Sequence, residues 1–404
     1  MTNLLFVYNR KIATVEIMYE CFCSQQAVQN GLDSRFVPTW NVNAKLLAWA
    51  DIVVFVRELD LLGQWILKKA KKSGLFVIQF MDDDLLGLPR SAVNRVQFLP
   101  WRQKAIAEGF RNTDLILSSN LILAKRYAER IPSKRFALTE TVVDPAQLVP
   151  LDQREKHYRD DVVKIVFAAG GNHEDVFNRF IAPILPQLSA RFQRGISFTF
   201  FGVHPDMSAY KEILDIDYIG AMPLAAYRKA IQSGYYDLGL APLESNELTE
   251  CKYYNKFVEY TIAGVTGIYS KVPPYTLAVK DKENGYLADN TPESWLETLS
   301  FAIENAESRR NCFKNAYHDV LSKMDADSIF RKLKADIPEM NREHRDKAGA
   351  VVAFTKARFL FVRLIECVYL VAEYLRLTGI TGAFNKVKSY LQDKKKAKKE
   401  VLGS

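Results

Sequence analysis

Short, nearly unbroken apolar runs alternate with stretches of helical period along the first 150 residues. LLFVY (Leu4 to Tyr8) precedes a helical segment from about Thr14 to Asn30, and RFVP (Arg35 to Pro38) reads as a short strand. DIVVFVR (Asp51 to Arg57) precedes a helix reaching Ser73. LFVIQFM (Leu75 to Met81) runs into an acidic loop, and DLILSS (Asp114 to Ser119) precedes a helix over Leu121 to Arg130. Continuous apolar strands separated by helices predict a parallel sheet covered on both faces.

Around LDQREKHYRDD (Leu151 to Asp161) the chain turns polar, which predicts an interdomain linker. The pattern then restarts with VKIVFAA (Val163 to Ala169), ISFTFFG (Ile196 to Gly202), DYIG (Asp217 to Gly220), DLGLAPL (Asp237 to Leu243) and GIYS (Gly267 to Ser270). Helices are predicted over 224–232, 252–263 and 292–305. The expected architecture is α/β, with two doubly wound Rossmann-like domains, 1–155 and 156–340, and a helical, basic tail over 341–404. Ligands of such sheets bind beyond the carboxyl ends of the strands, so the loops there are where chemistry belongs.

Composition narrows the classes. Of 404 residues, 48% are hydrophobic and 25% charged, as in an ordinary globular protein. The net charge of +8 resides in residues 345–404, which carry 13 Lys and Arg against 5 Asp and Glu; the rest of the chain is balanced. A core without a positive footprint argues against nucleic acid as a partner. Five scattered cysteines without zinc-finger spacing predict a reducing compartment, and MTNLLFVYNRKIA lacks the pattern of a secretory leader, so a cytoplasmic location is expected.

The loop after the first strand reads NRKIAT, not G-x-G-x-x-G, and no G-x-x-x-x-G-K-[ST] occurs, which disfavours classical dehydrogenases and P-loop NTPases. The first strand of the second half runs into Gly170, Gly171, Asn172, His173, Glu174 and Asp175 and then a helix, a start whose N–H groups can approach a phosphate. The competing reading is a glycine turn capped by Asn172 or Glu174. Further on, Lys252, Asn255, Lys256 and Glu259 fall on one predicted helical face, which would aim two cations and the positive helix end at an anion with a carboxylate deeper. A solvated Lys/Glu face is the alternative. Asp82, Asp83 and Asp84 follow a strand and either serve a second substrate or cap a helix; their mutual repulsion demands a cation, hydrogen bonds or solvent. Arg57 ends another strand facing the same side. His204 is a weaker candidate than His173.

These pieces in this order, GGNHED, FTFFG, DYIG with a following helix bearing Tyr227, YYDLGLAPL, K-x2-N-K-x2-E-Y-x3-G and VKDKENGYLADNTPESW, resemble the C-terminal domain of GT-B glycosyltransferases, especially the retaining family 4 type of bacterial surface-polysaccharide pathways. The resemblance implies a nucleotide diphosphate sugar as donor substrate, no separate cofactor and no metal. It places the diphosphate over Gly170, Gly171, Asn172 and His173, with Lys252 and Lys256 stabilising the leaving group. The ribose falls to Glu259 beside Asn255, and the base faces Tyr218. Asp83, with its neighbours, falls on the side of a glycan or lipid-linked acceptor. Where the family commonly has Glu eight positions before the ribose carboxylate, this chain has Cys251, with Glu250 and Lys252 as neighbours. Two other expectations stay open: an inverting GT-B enzyme or epimerase using one of Asp82 to Asp84 as base, and a noncatalytic GT-B-like binding subunit.

The tail segment GAVVAFTKARFLFVRLIECVYLVAEYLRL (Gly349 to Leu377) is largely apolar, but its charges interrupt it too often for a spanning helix. At about 100° per residue those charges gather within roughly 160° of arc, leaving an aliphatic and aromatic face that either lies in a membrane interface or packs on the first domain. The lysines that follow favour peripheral attachment to an anionic membrane on its cytoplasmic side.

Overall fold

The computed structural model describes residues 1–58, 60–87, 100–158, 161–170, 174–344 and 356–401. Two six-stranded sheets, all parallel, carry the chain. The first orders its strands β2-β1-β3-β4-β5-β6, where β1 is Thr2–Tyr8, β2 Leu32–Pro38, β3 Ile52–Val56, β4 Phe76–Met81, β5 Leu115–Ser118 and β6 Arg135–Leu138. The second orders them β12-β11-β10-β7-β8-β9, with β7 Val163–Ala168, β8 Ile196–Phe201, β9 Asp215–Ile219, β10 Leu238–Ala241, β11 Thr266–Ser270 and β12 Tyr286–Ala288. In both, order reverses beside the first strand of the unit, the switch point at which doubly wound sheets open a crevice. The central strands are largely buried on both faces, as their mostly apolar sequences require.

The charged stretch at 151–158 is less solvated than its composition suggests. It forms a short helix, Leu151–Glu155, and Arg154 is fully buried, donating to Asp237 Oδ1 at 2.8 Å, to the Tyr236 carbonyl at 3.0 Å and to the Gly264 carbonyl at 2.7 Å. A buried guanidinium is tolerable only with such partners. Beyond the second sheet the chain returns: helix Ala326–Asp336 lays Phe330 edge-on against Phe22 at 5.6 Å, and Arg135 pairs with Glu339 at 2.9 Å.

The tail helix, Lys356–Val401, breaks at Gly379, whose φ of 68° is left-handed. Its first half packs on helix Leu61–Lys72, with Phe359 buried and edge-on to Trp65 at 6.1 Å. Glu366 is buried and accepts the Leu61 N–H at 3.0 Å, so a carboxylate from the tail caps a helix whose own N-cap residue, Asp60, makes no side-chain cap. The packing alternative is thereby realised, but with the face that carries Glu366 inward and Arg358 and Arg376 left exposed. Residues 345–355 and 402–404 of the expected tail lie outside the described residues.

Candidate active site

A cleft of about 330 Å³ opens between the carboxyl ends of the two sheets. The first domain contributes Thr14, Arg57, Asp82 and Asp83; the second contributes the end of β7 through Gly170, the end of β10 through Leu243, Lys252, Asn255, Lys256, Glu259 and Tyr275. Loops scattered through the sequence meet here because the strands within each sheet are all parallel, so each sheet turns all its carboxyl ends to the cleft.

On the first-domain wall the three adjacent aspartates divide. Arg57 leaves β3 with a left-handed φ of 51°, its N–H held by the Phe80 carbonyl at 3.1 Å, and its guanidinium bridges Asp82 at 3.2 Å and Asp83 at 2.9 Å. Thr14 donates to Asp82 at 2.6 Å. The required countercharge is therefore Arg57. Burial and the neighbouring Asp82 still push the Asp83 carboxyl above its ordinary range, against the pull of Arg57 and of Lys252 across the cleft. Asp84 points elsewhere: it is buried, paired with Arg130 at 2.8 Å and bonded by the Gly87 N–H at 2.9 Å, a turn-forming role.

The second-domain wall is built around helix Asn255–Ile262. Lys256 in its first turn contacts Glu259 at 2.5 Å, and the Tyr227 hydroxyl donates to the same carboxylate oxygen at 3.2 Å. Burial would lower the Lys256 pKa, but Glu259 and the nearby tyrosines outweigh it and hold the amine charged. The predicted helix over 252–263 is corrected at its start. Lys252 is extended, with φ −72° and ψ 156°, and lies ahead of the helix, so it shares the cleft with Lys256 but no helical face.

What draws 252–254 out of the helix is the first domain. The Tyr253 and Tyr254 hydroxyls both donate to Glu140 Oε2, at 2.8 and 2.7 Å, and Asn120 donates to the Lys252 carbonyl at 2.6 Å while its Oδ1 caps helix Leu121–Arg130. Asn120, Glu140, Thr14 and Tyr275 escaped the sequence reading, since none belongs to a local motif. Asn120 alone left a signal, as an Asn at a predicted helix start.

Cys251 is buried and receives the Arg126 guanidinium at 3.1 Å; burial pushes its thiol up to about 11, leaving it neutral. Glu250 pairs with Arg126 at 2.9 Å. The carboxylate beside the substituted position is thus spent on the other domain, and Lys252 is the neighbour that reaches the cleft.

Gly170 lies on the cleft floor with nothing within 4 Å of where a Cβ would stand. Gly171, Asn172 and His173 lie outside the described residues. Gly202, closing FTFFG, has φ 76°, and a Cβ there would meet the Ala169 carbonyl at 2.5 Å, so this glycine fixes the approach of β8 to the end of β7. Tyr218 is not brought to the cleft lining. It sits on edge strand β9, donates to the Pro205 carbonyl at 2.8 Å and stacks on His204 with centroids 5.2 Å apart. Among the described residues no cluster of His, Cys, Asp and Glu has metal-binding geometry.

No protein-family model matches the chain, and no curated protein matches it in sequence. Its fold is nonetheless shared with solved structures. Sucrose-phosphate synthase from Thermosynechococcus elongatus superposes with a TM-score of 0.59 at 8% identity, over 84% of this chain and 99% of that one. HepE from Anabaena, solved with UDP and glucose, gives 0.55 at 9% identity over 84% of this chain and 100% of that one. A glycosyltransferase from Rickettsia africae gives 0.57 at 13% identity over 85% of this chain and 99% of that one. At such identities the likeness establishes architecture: the chain has the two-domain GT-B fold.

Proposed function

We propose that this protein is a glycosyltransferase that moves a hexosyl group from a nucleotide diphosphate sugar to a glycan or lipid-linked acceptor in surface-polysaccharide synthesis, with retention of configuration as in family 4. The observation that carries the reading is the charge arrangement of one cleft: Lys252 and Lys256 on the second domain face Arg57, Asp82 and Asp83 on the first. Two amines over an open glycine floor suit a diphosphate whose charge grows as the sugar bond breaks, the step at which preorganised cations contribute most. Glu259 can accept from two vicinal ribose hydroxyls. Asp82 and Asp83, fixed by Arg57 and Thr14, would orient acceptor hydroxyls. UDP is the nucleotide favoured, since HepE of the same fold was solved with it. Closure of the domains would exclude water, the competing acceptor.

The test is a thermal-melting panel of UDP, GDP and ADP sugars with the full chain. A ligand at about 100 times its Kd adds roughly 2.7 kcal/mol of stability. One nucleotide class raising Tm supports the reading, and no shift with any of them refutes it. A second reading has its own observation: Asp83, with a raised pKa in the cleft, suits a general base, and an inverting enzyme would use it. The anomeric configuration of the product, read by NMR, separates the two. A noncatalytic binding subunit, the reading that Cys251 invites, would give the melting shift without release of nucleotide.

A further inference from the structure

The tail helix presents its faces in an unusual order. Leu360, Leu364, Val368, Val371, Leu375 and Phe361 are each between 41% and 62% exposed. At about 100° per residue they fall within roughly 100° of arc, a continuous stripe about 22 Å long at 1.5 Å per residue. The opposite face is the one on the protein: Phe359 and Glu366 are buried there, and Glu366 is bonded to the Leu61 N–H. A globular helix normally turns its polar side to solvent; this one turns its carboxylates inward and its leucines out.

The edges of the stripe identify its occupant. Arg358 and Arg376 flank one edge and Arg363 the other, each roughly 60° beyond the last apolar position, while both acids of this half, Glu366 and Glu373, lie on the far side. Two copies packed stripe to stripe would bring arginine against arginine with no acid at the seam. Arg376 has Glu373 at 3.4 Å on its inner side and is otherwise exposed; anionic headgroups supply countercharge on the outer side of the stripe, and the long arginine stems can lie along apolar surface while their heads reach phosphate. Beyond the break at Gly379, Ile380 and Phe384 are also exposed, and the sequence continues into Lys388, Lys394, Lys395, Lys396, Lys398 and Lys399. No described helix is long and apolar enough to cross a bilayer, so the mode is parallel to the surface.

We infer that the tail helix docks this protein on an anionic membrane, with the stripe from Leu360 to Leu375 in the acyl boundary and Arg358, Arg363 and Arg376 at the headgroups. The inference is independent of the proposed activity. Its test is flotation of the full chain with phosphatidylcholine vesicles with and without phosphatidylglycerol, together with light scattering of the protein alone. The wild type should float with the anionic vesicles, at least about tenfold more than with neutral ones. Leu364→Glu/Val368→Glu and, separately, Arg358→Glu/Arg363→Glu should each lose at least about tenfold in partitioning, with unchanged melting temperature and unchanged response to nucleotide. Flotation that is equal in wild type and variants, or absent in all, would overturn the inference. So would a wild-type dimer that Leu364→Glu/Val368→Glu dissociates, because the stripe would then be an interface between copies.

Discussion

Replacing Lys256 by Met removes the cation closest to Glu259 while keeping the length of the stem. The two side chains are 25% and 28% exposed and 2.5 Å apart, so their interaction is partly screened. An ion pair of this exposure contributes on the order of 1 kcal/mol or less, and the Tyr227 hydroxyl remains as a donor to the carboxylate. Melting should therefore fall by no more than about 4 °C. Nucleotide binding should suffer far more. A charge-assisted hydrogen bond from Lys256 to the diphosphate is worth about 1.5–3 kcal/mol, which weakens Kd by roughly 10- to 150-fold in isothermal titration. Glu259→Gln supplies a check with a sign. Glu259 opposes the lowering that burial imposes on the Lys256 amine, so its removal lowers that pKa, and affinity for the nucleotide should begin to fall at a lower pH than in the wild type. An unchanged Kd in Lys256→Met, or a loss of affinity no larger than the loss of fold, would refute the assignment of this pair to the donor.

Two further outcomes follow from the first domain. Asp83→Asn should cut transfer while leaving nucleotide affinity nearly unchanged. Asp84→Asn should instead lower Tm, because it weakens a buried pair with Arg130; the reverse pattern would exchange their roles. Glu58 is fully buried, and burial, with Asp60 and Glu366 nearby, pushes its carboxyl up to about 8 against the Thr39 hydroxyl and the Asp60 N–H, which favour the charged form. A raised folded-state value means that its stabilisation is full below the unfolded value and is lost as pH rises through about 8. At about 1.4 kcal/mol per pH unit the loss amounts to several kcal/mol. Denaturant unfolding between pH 5 and 9 should show that slope in the wild type and a flatter one in Glu58→Gln; parallel curves would contradict it.

The sheets were legible because fully buried parallel strands must be continuous apolar runs, and β1, β3, β4, β7, β8 and β10 are such runs. Strand β6 was not, since Arg135–Leu138 is a four-residue edge strand that opens on an exposed arginine. Helix Pro100–Asn112 also escaped notice between the acidic loop and β5. In the site, Lys256 and Glu259 were readable from their spacing within one helix. The start of that helix was not, because Glu140 holds Tyr253 and Tyr254 from more than a hundred residues away and periodicity carries no such information. The amphipathic character of the tail was readable from its periodicity, but not the docking of its acid-bearing face on the first domain, which depends on the Leu61 N–H, 305 positions distant, donating to Glu366 in place of a local cap.

On the proposed function, the cleft between the two sheets holds a nucleotide diphosphate by Lys252, Lys256 and Glu259. A crystal structure of the full chain with UDP tests it most directly. The diphosphate should lie above Gly170, with the Lys252 and Lys256 amines at charge-assisted distances of about 2.7–2.9 Å and Glu259 on the ribose hydroxyls. Density for UDP anywhere else on the protein, or in the cleft with the ribose turned away from Glu259, would contradict it.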